Sequence, residues 1–385
     1  MTLLVLALIP AAFLLGFPAT LAARTLGRRL NALDGRGVPG QVKAPPRRVP
    51  NTGGIGIFAA FAACTLAALT FVWLFINNKM DLPVFLEPLR AHFPGVRAMT
   101  APVLILLSGA LALHVLGLID DRRPLGPNLK LLVMLAVSAA VVVATDSRLF
   151  TMLDPHVGGP WLSVLVTVAW IVAVTNAFNF LDNMDGLSGG VAAVAAACFL
   201  TTALVNDPPQ WFIAAMIAVL LGSILGFLVF NFPWKRRVPN PDGSATGGAS
   251  IFMGDGGSLV VGFLLAVLSV RITYVPAGHD LAPHLLLIPV LILAIPLYDF
   301  ASVILIRLRQ GKSPFVGDLQ HFSHRLVRHG LSQRAAVLLI CGCAAITGIG
   351  AIALPALAPW QAALVGLQSA LTLGVLALYE WKKSG

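Results

Sequence analysis

Asn176-Ala177-Phe178-Asn179-Phe180-Leu181-Asp182-Asn183-Met184-Asp185-Gly186-Leu187 decides how this chain is read. Polar side chains recur every third residue, at Asn176, Asn179, Asp182 and Asp185, between two apolar runs at about Trp161–Phe180 and Leu187–Val205. Each run approaches the ~20 apolar residues that a helix needs to cross a bilayer. Charge beside hydrocarbon is costly and is kept there for a use. The stretch therefore predicts two membrane helices joined by a polar turn that serves a site.

The same pattern continues outward. Of the 385 residues, 58% are hydrophobic and 11% are charged, too few charges for the surface of a soluble protein this long. Apolar runs near 3–22, 53–76, 101–119, 129–144, 161–180, 187–205, 211–230, 258–274, 284–305, 335–354 and 361–379 predict about eleven spans. The expected fold class is all-α: one polytopic transmembrane helical bundle over residues 1–385, with no separate soluble domain. The first run has no basic segment before it and a long basic loop after it, so it reads as a span and not a signal peptide.

Eleven spans put the termini on opposite sides. Of the 26 Lys and Arg residues, all but Lys79, Arg90, Arg97, Arg148 and Arg271 fall on one side. The positive-inside bias then places the N-terminus outside and the C-terminus in the cytoplasm. The net charge of +10 is explained by this topology and by anionic lipid, so no nucleic acid is called for. Cys64, Cys198, Cys341 and Cys343 lie in apolar runs and read as small buried hydrophobes.

In this orientation the cytoplasmic loops are about 24–50, 120–128, 181–187, 231–257 and 306–333, and the polar clusters gather there. Asp120 and Asp121 close span three, where the helix dipole disfavours carboxylates, and Lys130 opens span four, where it disfavours a cation. Opposite departures from one local rule point to function. The plainer reading is solvated charge pairing with Arg122 and Arg123. Asn176 and Asn179 share a helical face, and a network between helices is the alternative use of them. Asp185 also suits an N-cap for span six.

Gly254-Asp255-Gly256-Gly257-Ser258 opens span eight. Its glycines would let backbone N–H groups approach a phosphate at a helix N-terminus. His321 and His324 share a face if helical, and with Arg325 they offer phosphate donors; solvated loop histidines are the alternative. Asp299 is a further intramembrane charge. Together these clusters form a mouth of hard oxygen donors. Such donors suit Mg²⁺, which binds through one or two carboxylates plus substrate phosphates. That combination points to phosphoryl transfer at a membrane surface.

These residues resemble the polyprenyl-phosphate N-acetylhexosamine-1-phosphate transferases (glycosyltransferase family 4), over most of the chain and in family order. Pro50-Asn51-Thr52-Gly53-Gly54 resembles the first cytoplasmic motif, and Asp120-Asp121 with Lys130 the paired-aspartate motif. Asn176-x-x-Asn179-x-x-Asp182-x-x-Asp185-Gly186 is the most specific match. Asn231-Phe232-Pro233 and Phe252-Met253-Gly254-Asp255-x-Gly257-Ser258 resemble the next motif, and Asp318-x-x-His321-x-x-His324-Arg325-Leu326 the histidine motif. Two departures stand out: Ser323 replaces a third histidine that family members usually carry, and the segment near 235–250 reads as an inserted loop.

The resemblance implies a reaction in which a polyprenyl phosphate attacks the β-phosphorus of a UDP-N-acetylhexosamine, most simply UDP-GlcNAc, and releases UMP. It implies that Asp255 holds Mg²⁺, with Mn²⁺ as an alternative. Asp120 and Asp121 would orient or deprotonate the lipid phosphate, Asp120 serving as base, with Asp182 in support. Asn179, Asp185 and Asn231 would face the nucleotide, with Asn176 on the same helix. Lys130, His321, His324 and Arg325 would bind phosphate or sugar. A homodimer is left open. The rival readings are the phospho-MurNAc-pentapeptide translocase branch of the same family and a cation-coupled transporter, whose acidic sites would lie near the midplane.

Overall fold

The computed structural model describes residues 1–33, 49–78, 82, 84–234, 238–239, 245–246, 248–274, 282–313 and 321–381. Much of the basic loop 24–50, Asp318 and most of the inserted loop lie outside the described residues.

Long apolar runs become helices because hydrocarbon offers no partner to an open backbone group. They are α1 (Thr2–Arg29), α2 (Gly53–Asn78), α3 (Thr100–Arg122), α4 (Pro127–Thr145) and α5 (Trp161–Leu181). Next come α6 (Leu187–Val205), α7 (Trp211–Asn231), α8 (Asp255–Arg271), the short α9 (Ile288–Ile292) and α10 (Ala294–Arg309). A cap helix, α11 (Phe322–Arg328), precedes α12 (Gln333–Ala353) and α13 (Pro359–Trp381). The only sheet among the described residues is a two-residue antiparallel pair that matches Val238 with Thr246 and Pro239 with Ala245.

Among the described residues, nine helices are long and apolar enough to cross a membrane, and a tenth counts if a bent pair is one span. The protein is thus a multi-pass membrane protein with an all-helical body. The expected span near 258–274, which is not among the nine, is α8. It runs from Asp255 to Arg271, seventeen residues, and its side chains from Gly256 to Ser269 are buried by protein. It forms the axis of the bundle and packs against α5, α3 and α2. Large apolar residues such as Leu14, Leu132, Val143 and Leu371 stay exposed on the outer helices, the surface that lipid covers.

The expected single span at 284–305 is broken. The segments Pro283–Ile292 and Ala294–Arg309 meet at 75°. Pro296 has no N–H to give the Ile292 carbonyl, and its ring crowds that carbonyl. Leu293 absorbs the turn. The bend carries α10 alongside α5.

Candidate active site

Four polar clusters, distant in sequence, meet at one end of the bundle. Lys130 on α4 joins three of them. Its Nζ donates to Asp255 Oδ2 at 2.5 Å, Asp120 Oδ2 at 3.1 Å and Asn179 Oδ1 at 3.4 Å. Asn179 Nδ2 in turn donates to Asp255 Oδ1 at 3.0 Å and to Ser258 Oγ at 2.9 Å. Asp120 also accepts the Leu125 N–H at 2.7 Å, which folds the short α3–α4 link. The cation at a helix start and the carboxylates at a helix end are therefore compensated across helices, where a single helix would leave them opposed.

Asp121 serves the backbone. Its two oxygens accept the N–H groups of Asp255 at 3.1 Å and Gly256 at 3.3 Å. A carboxylate on a helix N-terminus satisfies open donors and complements the dipole. The next two N–H groups of α8, from Gly257 and Ser258, turn back to the Gly254 carbonyl at 3.0 Å. The first turn of α8 is thus fully engaged within the protein. This corrects the sequence reading of the glycines as a cradle for phosphate. They serve close packing: a Cβ on Gly54 would lie 2.3 Å from the Gly257 nitrogen, and one on Gly117 would lie 2.3 Å from the Gly256 nitrogen. α2 and α3 pinch the start of α8 and so fix where Asp255 points.

Asp182 follows the last residue of α5, and its N–H donates to the Phe178 and Asn179 carbonyls. Loss of water raises its carboxyl well above the usual carboxylate range. The charges of Asp255, Asp121 and Asp185 add to the shift, and a hydrogen bond from the Gly254 backbone opposes it. The acidic side chains thus sense one another as members of one mouth.

Other expected contacts are inward. Asn176 Nδ2 donates to its own helix at the Val172 carbonyl, 2.8 Å away, with Met134 Sδ beside it, so it stands outside the Lys130 cluster. Asp185 is buried and accepts the Ala249 N–H at 2.9 Å, while Gly186 is the residue that precedes α6. Asp185 therefore does not N-cap α6. Asn231 accepts the Gly186 N–H and donates to the Ile251 carbonyl, both at 2.9 Å. Asp185 and Asn231 shape the site from behind, by tying the 182–186 turn to the segment 249–251.

The histidine motif lies along α11 and its start. His321 Nδ1 is 3.0 Å from Asp299 Oδ2, and the Phe322 N–H donates to Asp299 Oδ1 at 2.8 Å. Arg325 Nη2 donates to Ser302 Oγ at 3.1 Å. Ser323, in place of the usual third histidine, donates to Asn183 Oδ1 at 2.5 Å and so bolts α11 to the turn after α5. Burial presses the His324 ring down to about 4. His321 and Arg328 add to that effect, while Asp299 and a hydrogen bond to the Asn183 backbone oppose it. Asn183, Ser258, Ser302 and the partner role of Asp299 were missed from sequence. The cost of an intramembrane carboxylate was the one signal for Asp299.

The donor set fits a divalent ion of the magnesium type. Asp255 and Asp182 are hard oxygen donors, and Asp255 already attracts a cation, the Lys130 ammonium. Among the described residues no group of three His, Cys, Asp or Glu stands ready to hold a metal alone.

Comparison with known proteins then bears on the chemistry. The sequence model of glycosyl transferase family 4 matches residues 103–273. A probable undecaprenyl-phosphate N-acetylglucosaminyl 1-phosphate transferase of Bacillus subtilis is 29% identical over 326 residues, covering 84% of this chain and 78% of its own length. A decaprenyl-phosphate N-acetylglucosaminephosphotransferase of Mycobacterium tuberculosis is 30% identical over 399 residues, covering 95% of this chain and 86% of its own. An undecaprenyl-phosphate alpha-N-acetylglucosaminyl 1-phosphate transferase of Yersinia pestis is 27% identical over 340 residues, covering 87% and 80%.

Proposed function

The chain belongs to glycosyl transferase family 4, and on that premise we propose that it moves GlcNAc-1-phosphate from UDP-GlcNAc to a polyprenyl phosphate, leaving polyprenyl-diphospho-GlcNAc in the membrane and releasing UMP. The single observation that carries this reading is the convergence of Asp120, Asn179 and Asp255 on Lys130. A transporter would use acidic residues near the midplane of the bundle; here they gather at one mouth.

Both substrates are anionic, so their approach must be offset before a phosphate oxygen can reach phosphorus. Lys130 supplies a fixed ammonium to that end. Asp255, supported by Asp182, would hold Mg²⁺, which supplies further charge neutralisation between the two phosphates. Asp120, released from Lys130, accepts a proton from the lipid phosphate when that group arrives protonated. Asp121 stays on α8 and keeps Asp255 in place. Asn179 fixes the second oxygen of Asp255. His324 and Arg325 offer donors to the diphosphate of the nucleotide, and His321 contacts its sugar. The lipid phosphate oxygen bonds to the β-phosphorus as the bond from that phosphorus to the UMP oxygen breaks.

The basic loops support a topology of eleven spans with the N-terminus outside, the C-terminus in the cytoplasm and this mouth on the cytoplasmic face of the cell membrane. The test is purified protein given Mg²⁺, undecaprenyl phosphate and either UDP-GlcNAc or UDP-MurNAc-pentapeptide. Lipid product from UDP-GlcNAc alone is expected. Preference for the pentapeptide substrate would move the chain to the other branch.

A further inference from the structure

Asp299 lies on α10 in the hydrocarbon-rich body of the protein and is fully buried. A buried carboxylate needs partners that repay its lost water, and among the described residues its side chain meets two, both on the histidine motif. Oδ1 accepts the Phe322 N–H at 2.8 Å, and Oδ2 lies 3.0 Å from His321 Nδ1. An ionised carboxylate only accepts hydrogen bonds. With Asp299 as the acceptor, we infer that the shared proton sits on Nδ1, which leaves Nε2 as the nitrogen available to a ligand. Neighbouring side chains hold the ring in that pose. Phe180 and the His321 ring meet in a T-shaped contact with centroids 5.8 Å apart, and the Arg307 guanidinium lies over the Phe180 ring, 5.4 Å from its centroid. One turn further along α10, Ser302 accepts from Arg325.

We propose that Asp299 is a positioning residue for the transfer reaction: its bond to His321 Nδ1 fixes the imidazole tautomer and presents Nε2, as an acceptor, to a hydroxyl of the sugar nucleotide. This rests on the function proposed above. It assigns α10 a part in the chemistry and gives a use for a carboxyl buried this fully. A purely structural role, as a cap for α11, would need only the Phe322 bond.

Asp299→Asn separates the two roles. The amide oxygen can still accept the Phe322 N–H, so α11 stays capped. The amide nitrogen is a donor, so it turns Nδ1 into an acceptor and moves the ring proton to Nε2. Loss of a group that orients a ligating histidine costs roughly 10- to 100-fold in activity. The expected result is a fall of that size in kcat with the thermal midpoint nearly unchanged, and no further fall when Asp299→Asn is added to His321→Gln. Magnetic resonance of isotope-labelled imidazole nitrogens, assigned by loss of a signal in His321→Gln, reads the tautomer without turnover. A protonated Nδ1 in the wild type that is lost in Asp299→Asn supports the proposal. An unprotonated Nδ1 in the wild type, the same spectrum in both proteins, or equal losses in both backgrounds would overturn it. A wild type that makes no lipid product sinks the proposed function, and the spectra still decide this assignment.

Discussion

Lys130 Nζ sits 2.5 Å from Asp255 Oδ2, so the cation of α4 and the first acidic residue of α8 form a pair at the centre of the mouth. The same ammonium reaches Asp120 at 3.1 Å, and the side chains of the triad are 15 to 29% exposed. Removing it leaves two carboxylates facing each other.

Lys130→Met is therefore expected to reduce both stability and turnover. Removing one partner of a buried pair costs about 3–5 kcal/mol, and the partial exposure here puts the loss toward the lower end. Loss of a preorganised cation costs turnover about 100-fold or more. Thermal unfolding in detergent and initial rates check both. A variant that is active and as stable as the wild type would remove Lys130 from its central place.

Asp121 and Asp120 should separate by phenotype. Asp121 holds two N–H groups of α8, and losing such a cap costs about 1 kcal/mol. Asp121→Ala should lower the unfolding midpoint more than Asp121→Asn, which keeps one acceptor. Asp120→Asn should leave the midpoint closer to that of the wild type and act mainly on turnover. Unfolding curves for the three variants decide it.

Gly54→Ala and Gly117→Ala each press a methyl against backbone atoms of α8 that cannot swing aside. Overpacking of this kind costs about 1–3 kcal/mol, and here it also shifts Asp255. Both variants should lose turnover out of proportion to their loss of stability. Gly95→Ala, where the added carbon meets nothing within 4 Å, should behave as the wild type.

Acid should weaken the fold through His324. Its ring is held down to about 4 from an ordinary 6.5. Between those values the unfolded chain binds a proton that the folded chain does not, so the stability from neutral His324 is complete above about 6.5 and is lost as pH falls toward about 4. The ceiling of this contribution is ~3 kcal/mol at about 1.4 kcal/mol per unit, and the ring's partial exposure lowers it. His324→Gln should flatten the acid limb of an unfolding-midpoint profile, and an unchanged limb would count against the assignment.

The sequence was legible where hydrophobic length and charge speak locally. Most span limits followed from apolar runs, and Asp120, Lys130 and Asn179 stood out because each breaks a local rule of charge or burial; Asp255 sits at a helix start, where a carboxylate is favourable, and was marked by the glycines around it. What stayed hidden depends on contacts between helices. Nothing around Asp121 announces that its partner is the backbone of Asp255, 134 residues away. Gly117 looks like an ordinary membrane-helix glycine, and the motif that holds Gly54 does not show that both press on the start of α8. The resemblance assigns Asn231 and Asp185 to the nucleotide, and only the structure shows their bonds to Gly186, Ile251 and Ala249. The break at Leu293 was hidden because hydropathy continues smoothly through it.

The most direct test of the account follows the β-phosphorus. UDP-GlcNAc labelled at that atom is incubated with purified protein, Mg²⁺ and undecaprenyl phosphate, with a chelator in a parallel reaction. The account predicts that the label passes into the lipid, that unlabelled UMP is released, and that chelation stops both. Label leaving in free UDP, with GlcNAc alone on the lipid, would mean attack at the sugar carbon and would contradict it.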